Sequence, residues 1–295
     1  MENITCTLYI VDVFAEEKYA GNQLAVVTNG AVLSDLQMQK IANEMHFSET
    51  TFILTDKMRK GGYDVRIFTP KKELPFAGHP TLGTAYIIKH FTLAKKTNDI
   101  LLNLKAGQIP VHFEQSKNTE IGWMKQNQPV FGKQFEVQRF AKLLGLNESD
   151  FDERFPIQEV STGLLFIIVP LKTLNSVKKA IVNQKLQAEL AKESMAGILV
   201  FCPQTYAKEN DLNVRVFVDA YGIPEDPATG SGNGCLAAYL SSYRYFGTSK
   251  VAVKVEQGCE IGRPSLIHLK AEDKDGDIQV NVGGKVKLIA KGELL

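Results

Sequence analysis

The chain has 295 residues, 44% hydrophobic and 9% aromatic, which is ample side-chain volume for a sizeable core and suits two domains better than one. Its 34 basic and 33 acidic residues nearly cancel and no basic run is dense enough to track phosphates, which argues against a nucleic-acid partner. No stretch approaches the roughly 20 apolar residues that a membrane-spanning helix needs. The segment from Met1 to Val13 carries Glu2 and Asp12 and reads as a strand rather than a signal peptide, so a cytoplasmic setting is expected. Cys6, Cys202, Cys235 and Cys259 lie far apart with no C-x-x-C pair, and His46, His79, His90, His112 and His268 are dispersed. Reduced thiols and no metal are expected.

In chain order, a strand runs from Thr5 to Phe14, and the small-residue turn Ala20-Gly21-Asn22-Gln23 feeds an apolar strand ending at Val27. A helix opens at Ser34, with Gln37 three residues on as a capping box and Leu33 placed to staple onto Met38. Met38, Ile41, Ala42 and Met45 form its apolar stripe. Strands follow at Thr50 to Leu54 and Val65 to Thr69, then a glycine-rich turn, Phe76-Ala77-Gly78-His79-Pro80-Thr81, and a helix from Pro80 to Phe91. Gly83, Thr84 and Ala85 on that helix would let strands approach closely. A polar, proline-bearing stretch from Lys125 to Phe135 marks the boundary between halves.

The second half repeats the order. The turn Ser161-Thr162-Gly163 feeds an apolar strand, and Leu174, Val177, Ile181 and Leu190 form the buried stripe of an amphipathic helix. Strands Ile198 to Cys202 and Asn213 to Val218 lead to the turn Pro227-Ala228-Thr229-Gly230-Ser231-Gly232-Asn233-Gly234. The helix from Gly230 to Tyr245 follows, with Gly234, Ala237 and Ala238 as its small residues. Gly283-Gly284, between Ile278 to Val282 and Val286 to Ile289, has the chemistry of a hairpin turn. Residues 66–87 and 215–240 share an arginine-led strand, a proline-containing loop, a glycine-rich turn and an alanine-tyrosine helix. The expected fold class is therefore α+β, with two pseudo-symmetric halves, each a curved, mostly antiparallel sheet wrapped around a central helix. The halves are expected at 1–125 and 126–285, with the strand 286–295 returning to the first.

A glycine-rich turn that opens a helix presents backbone N–H groups and the positive end of the helix dipole, so each half offers an anion site. Two such sites facing one cleft would hold a small anionic substrate from both sides. The second turn lacks the Walker lysine and does not fit G-x-G-x-x-G with a distant acid, so no nucleotide is implied.

These motifs carry a resemblance. Ala20 to Val27 with Asn22, Ser48-Glu49-Thr50-Thr51-Phe52, Leu74 to Ala85, Ser161-Thr162-Gly163, Pro224 to Ser231 and Gly262-Arg263-Pro264-Ser265 closely resemble, in order, the motifs of the PhzF-like family of phenazine-biosynthesis isomerase-like proteins. The resemblance runs from Val11 to Glu293 and implies the diaminopimelate epimerase fold. It also implies cofactor-independent isomerisation and a homodimer. It places the acid-base carboxylate at Glu49, where partial desolvation between a helix end and an apolar strand would raise its pKa toward a useful value. His79 would hydrogen-bond the substrate or help to move a proton, although a histidine there can also serve as an N-cap. The resemblance puts Asp226 in the site, orienting an amine or hydroxyl, or else bracing the Pro224 to Pro227 loop. Asn22, Ser48, Gly78, Thr229, Gly230 and Ser231 are the candidate substrate-binding residues. Racemases of this fold use a cysteine at each turn, where this chain has Ala77 and Ala228, so thiol-based racemisation is not expected. The expected function is an isomerase moving a proton on a small carboxylated substrate through Glu49. The alternatives are a racemase or lyase acting on another acid, and a non-catalytic metabolite-binding or regulatory protein.

Overall fold

The computed structural model describes residues 5–93, 97–116, 119–218 and 223–294. Residues 1–4 of the N-terminal segment and 219–222 of the second repeated motif therefore lie outside the described residues. The fold is mixed, with extensive curved β-sheet and few helices, and the chain divides into two compact units. One comprises Met1–Met124 with Gly283–Leu295, and the other Lys125–Val282.

In the first unit, strand Cys6–Val13 pairs antiparallel with Asn22–Val27 and, along its other edge, with Val286–Leu294. Asn22–Val27 runs parallel to Glu49–Ile53, with Leu24 opposite Glu49. Glu49–Ile53 pairs antiparallel with Tyr63–Phe68, which is parallel to Asp99–Leu104. Two antiparallel steps, through Gly107–Ser116 to Thr119–Lys125, complete the series. The strands alternate as a sheet with two covered faces must. Cys6, Val27, Phe52 and Phe68 meet Met38 and Ala42 of helix Asp35–Met45 on one face. Val11, Val13 and Leu24 meet helix Gly78–Ile87 on the other. That helix is buried except at Tyr86. A Cβ on Gly83 would lie 2.6 Å from Leu24 and 2.9 Å from Val13, which is why this position carries no side chain.

Local signals explain the ends of these elements. The Ser34 hydroxyl accepts from the Gln37 N–H at 3.3 Å, while the Gln37 side chain accepts from the Ser34 N–H at 2.9 Å, so the capping box is formed. Helix Gly78–Ile87 starts two residues before Pro80 and runs into a π-helical turn, Ile88–Thr92.

In the second unit, Ile157–Ser161 pairs antiparallel with Val130–Phe135 and Leu165–Pro170. Leu165–Pro170 is parallel to Gly197–Cys202, which pairs antiparallel with Leu212–Val218. Leu212–Val218 then pairs antiparallel with Ile223–Asp226 and parallel with Lys250–Gln257, and the latter pairs antiparallel with Ser265–Lys274. Helix Gly230–Ser242 is buried except at its last residue, and Tyr239 satisfies its hydroxyl by donating to the Pro156 carbonyl at 2.7 Å. Ile167, Val169, Ile198 and Val200 face the opposite way and join Phe140, Leu144, Val177 and Leu190 of the outer helices Val137–Leu144, Leu174–Lys179 and Gln184–Leu190.

Two expectations are corrected. The stripe Leu174, Val177, Ile181 and Leu190 spans two short helices rather than one. Asn183 caps the second by accepting from the N–H groups of Lys185 and Leu186, and the break between them leaves Ile181 73% exposed. Gly283-Gly284 is not a hairpin turn: both glycines lie within strand Asp277–Gly284, and neither has the positive φ that a two-residue turn requires. A Cβ on Gly283 would fall 2.6 Å from the Trp123 ring and 2.7 Å from the Gly122 carbonyl, so that glycine serves close strand approach. The two-residue turn is Asp275-Gly276, with φ 54 and 92, which joins Ser265–Lys274 to Asp277–Gly284.

Candidate active site

Glu49 is the first residue of its strand, just after the helix whose C-cap, His46, adopts φ 57. Thr51, two residues on, shares a hydrogen bond of 2.7 Å with Thr84, fixing this strand to the buried helix. His79 is the second residue of that helix. The N-cap is Ala77, whose carbonyl accepts from the Thr81 hydroxyl at 2.7 Å, so His79 is not a cap. Its Nε2 lies 3.3 Å from Glu49 Oε2, with side chains 7% and 13% exposed respectively. Burial pushes the imidazole down to about 3, offset in part by a hydrogen bond with the Gln23 backbone. Although this spacing would suit an ion pair, the ring is therefore neutral near pH 7, and the approach is one between a neutral ring and a carboxyl.

Asn22, 1% exposed, places its amide nitrogen 3.3 Å from His79 Nδ1. The structure thus brings Asn22, His79 and Glu49 into one chain of contacts. Ser48 precedes Glu49 in a bend and is half-buried, and Gly78 is the buried first residue of the helix. The N–H groups of Gly78 and His79 belong to the first helical turn, which has no intrahelical acceptors for them.

The second turn is built differently. Thr229 is the N-cap of helix Gly230–Ser242, but its side chain does not cap. Instead the hydroxyl makes a short hydrogen bond to Asp226 Oδ2. Asp226 ends strand Ile223–Asp226 and is 8% exposed, as are Thr229 and Ser231. Gly230, Ser231 and Gly232 supply the first-turn N–H groups. A residue that the sequence motifs do not single out, Gln257, is fully buried beneath this turn. Its only sequence signal is a glutamine closing the strand Lys250–Gln257 immediately before Gly258.

Ala77 and Ala228 are buried at their turns, so neither turn carries a thiol. Cys235 lies within the second helix, 3.7 Å from the Thr162 hydroxyl, and burial pushes its thiol up to about 11. A thiol so raised is poorly suited to act as a nucleophile. Among the described residues, no group of three or more His, Cys, Asp or Glu side chains is placed to hold a metal ion, and no helix is long and apolar enough to cross a membrane.

The chain is an enzyme of the isomerase class. It is 33% identical over 295 residues to an uncharacterised isomerase of Clostridium acetobutylicum, covering 98% of this chain and 97% of that one. It is also 33% identical over 293 residues to the trans-2,3-dihydro-3-hydroxyanthranilate isomerase of Pseudomonas fluorescens, covering 97% and 98% of the two chains. It belongs to the phenazine biosynthesis-like (PhzC-PhzF) family, whose model matches residues 11–292. The crystal structure of the PhzF-family phenazine biosynthesis protein of Bacillus anthracis superposes with a TM-score of 0.90, at 28% identity and 99% coverage of each chain.

Proposed function

We propose that this isomerase moves a proton on a small carboxylated substrate without a cofactor, with Glu49 as the carrier. The observation that carries this reading is the 3.3 Å contact between a largely buried carboxyl and an imidazole that burial keeps neutral. The Glu49 carboxylate takes a proton from a carbon next to an unsaturated or carbonyl system, and the electron pair left behind moves into that system. The same carboxyl then returns the proton to another carbon, so nothing is oxidised and no water is added. His79, neutral and in contact with Asn22 and Glu49, hydrogen-bonds the substrate or helps to move the proton, and does not act as a cationic acid.

Ser48 and Gly78 in one unit, and Thr229, Gly230 and Ser231 in the other, are assigned to substrate binding, each turn through its first-turn N–H groups. Asp226 accepts from a substrate amine or hydroxyl. The Pseudomonas relative's substrate class, a cyclic amino acid bearing a hydroxyl, has each of these groups, which makes trans-2,3-dihydro-3-hydroxyanthranilate the first compound to assay. The family resemblance and composition extend the reading to a homodimer in the cytoplasm.

We also read the two units as pseudo-symmetric copies of one ancestral half. Arg66 clasps Glu73 through Nε and Nη2 at 2.8 and 2.9 Å, and Arg215 clasps Glu225 through the same atoms at 3.0 and 2.8 Å. In each unit the arginine and the glutamate stand on two paired antiparallel strands just before the turn, Tyr63–Phe68 with Glu73–Leu74 and Leu212–Val218 with Ile223–Asp226, which supports the duplication.

Glu49→Gln tests the proposal, because it keeps volume and a hydrogen-bonding oxygen but removes the exchangeable acid. The variant is expected to remain folded and bind substrate while turnover falls by about a hundredfold or more. A folded, substrate-binding variant within a few-fold of the native rate would remove Glu49 from the reaction.

A further inference from the structure

Gln257 directs its whole hydrogen-bonding capacity at the second turn. Its Nε2 donates to the Asp226 carbonyl at 2.7 Å and to Thr229 Oγ1 at 3.0 Å. Its Oε1 accepts from the Thr229 N–H at 3.2 Å and from Asn233 Nδ2 at 2.8 Å. The other Asn233 proton goes to the Thr229 carbonyl at 3.0 Å. This pattern determines both amide orientations: turning Gln257 over would set its oxygen against the Asp226 carbonyl, and turning Asn233 over would set its oxygen against two acceptors. Gln257 is 0% exposed, so losing any of these bonds would leave a buried polar group unsatisfied. The next residue shows how close the approach is. Gly258 has φ 77, and a Cβ there would fall 2.6 Å from the Pro227 carbonyl and 2.4 Å from that of Arg263.

The direction of one proton follows. Thr229 Oγ1 receives a proton from Gln257, so its own proton is turned onto Asp226 Oδ2. A carboxylate that receives a fixed hydroxyl proton is favoured in its charged, accepting form. We propose that Gln257 is a positioning residue which, through Thr229, holds Asp226 as a hydrogen-bond acceptor for a substrate amine or hydroxyl. Asp226 then grips the substrate and does not exchange a proton with it. The network stands on geometry alone, whereas its effect on turnover rests on the isomerase reading above.

The test uses the full chain with Gln257→Met, which fills the space without hydrogen bonds, and Gln257→Glu, which is isosteric. With trans-2,3-dihydro-3-hydroxyanthranilate as probe, Gln257→Met is expected to cost about tenfold in kcat/KM, mostly through KM. In an Asp226→Asn background the same change is expected to cost less than about threefold, because its effect acts through Asp226. Gln257→Glu should show the same loss at alkaline pH and recover as the pH falls, since the introduced carboxyl regains one donor when it is protonated. Equal losses in both backgrounds, or none in the native one, would overturn the proposal.

A second arm needs no turnover. In protein carrying carboxyl-13C aspartate, with the Asp226 resonance identified by its loss in Asp226→Asn, Asp226 should titrate at higher pH in Gln257→Met than in the native chain. Unchanged titration would overturn the proposal. If the native chain does not act on the probe, the isomerase reading on this substrate fails and the titration alone decides the role of Gln257. If Gln257→Met does not fold, Gln257→Glu carries both arms.

Discussion

Acidification is expected to destabilise this protein through His79, and His79→Gln is expected to remove most of that dependence. Imidazole ordinarily titrates near 6.5, and burial lowers this group to about 3 in the folded chain. Between those values the unfolded chain binds a proton that the folded chain does not, so stability is lost as pH falls from 6.5 toward 3. Each pH unit in that window costs about 1.4 kcal/mol, so falling from 6.5 to about 5 costs roughly 2 kcal/mol, a large share of the 5–15 kcal/mol typical of a folded domain. The side chain is 7% exposed, so solvent screening removes little of this. Glutamine is the comparator because it is polar and of similar length but does not titrate. Urea unfolding of both proteins, followed by circular dichroism from about pH 7.5 to about pH 5, should show the native chain losing roughly 2 kcal/mol relative to the variant. If His79 and Glu49 formed an ion pair instead, the folded imidazole would titrate above 6.5 and the native chain would gain on the variant at low pH. Either that gain or parallel curves would refute a neutral His79.

Two further outcomes follow. Gly83→Val should cost about 2 kcal/mol or more in unfolding free energy, because the added Cβ alone meets Leu24 and Val13 inside 3 Å. Gly292→Ala, where nothing lies within 4 Å, should change stability by only a few tenths of a kcal/mol, and equal losses from the two would contradict this account of the helix seat. Isomerase activity should survive exhaustive chelation and desalting, and loss restored by adding a metal would reveal a required ion.

Sequence separation sets what can be read directly. The capping box at Ser34 and Gln37 is legible because its partners are three residues apart on one helical turn. The strands around Thr50 and Val65 are legible because runs of β-branched and aromatic residues favour extended backbone. Ile181 is misplaced by its spacing because a period of apolar residues does not show where a helix breaks, and the break depends on Asn183 capping the next segment. Gly283 misleads because a glycine that permits a turn and one that permits close packing look the same until Trp123 is placed against it. The motifs single out Glu49, His79 and Asn22, but their mutual geometry depends on residues 30 and 57 positions apart meeting across a helix and two strands. Gln257 carries almost no local signal, since its role comes from hydrogen bonds to residues between 24 and 31 positions away. Backbone preference and side-chain periodicity act over a few residues, so the chain's elements show in the sequence. Burial, the neutral state of His79 and the direction of the Thr229 proton arise only when distant segments exclude water together, and these the tertiary structure decided.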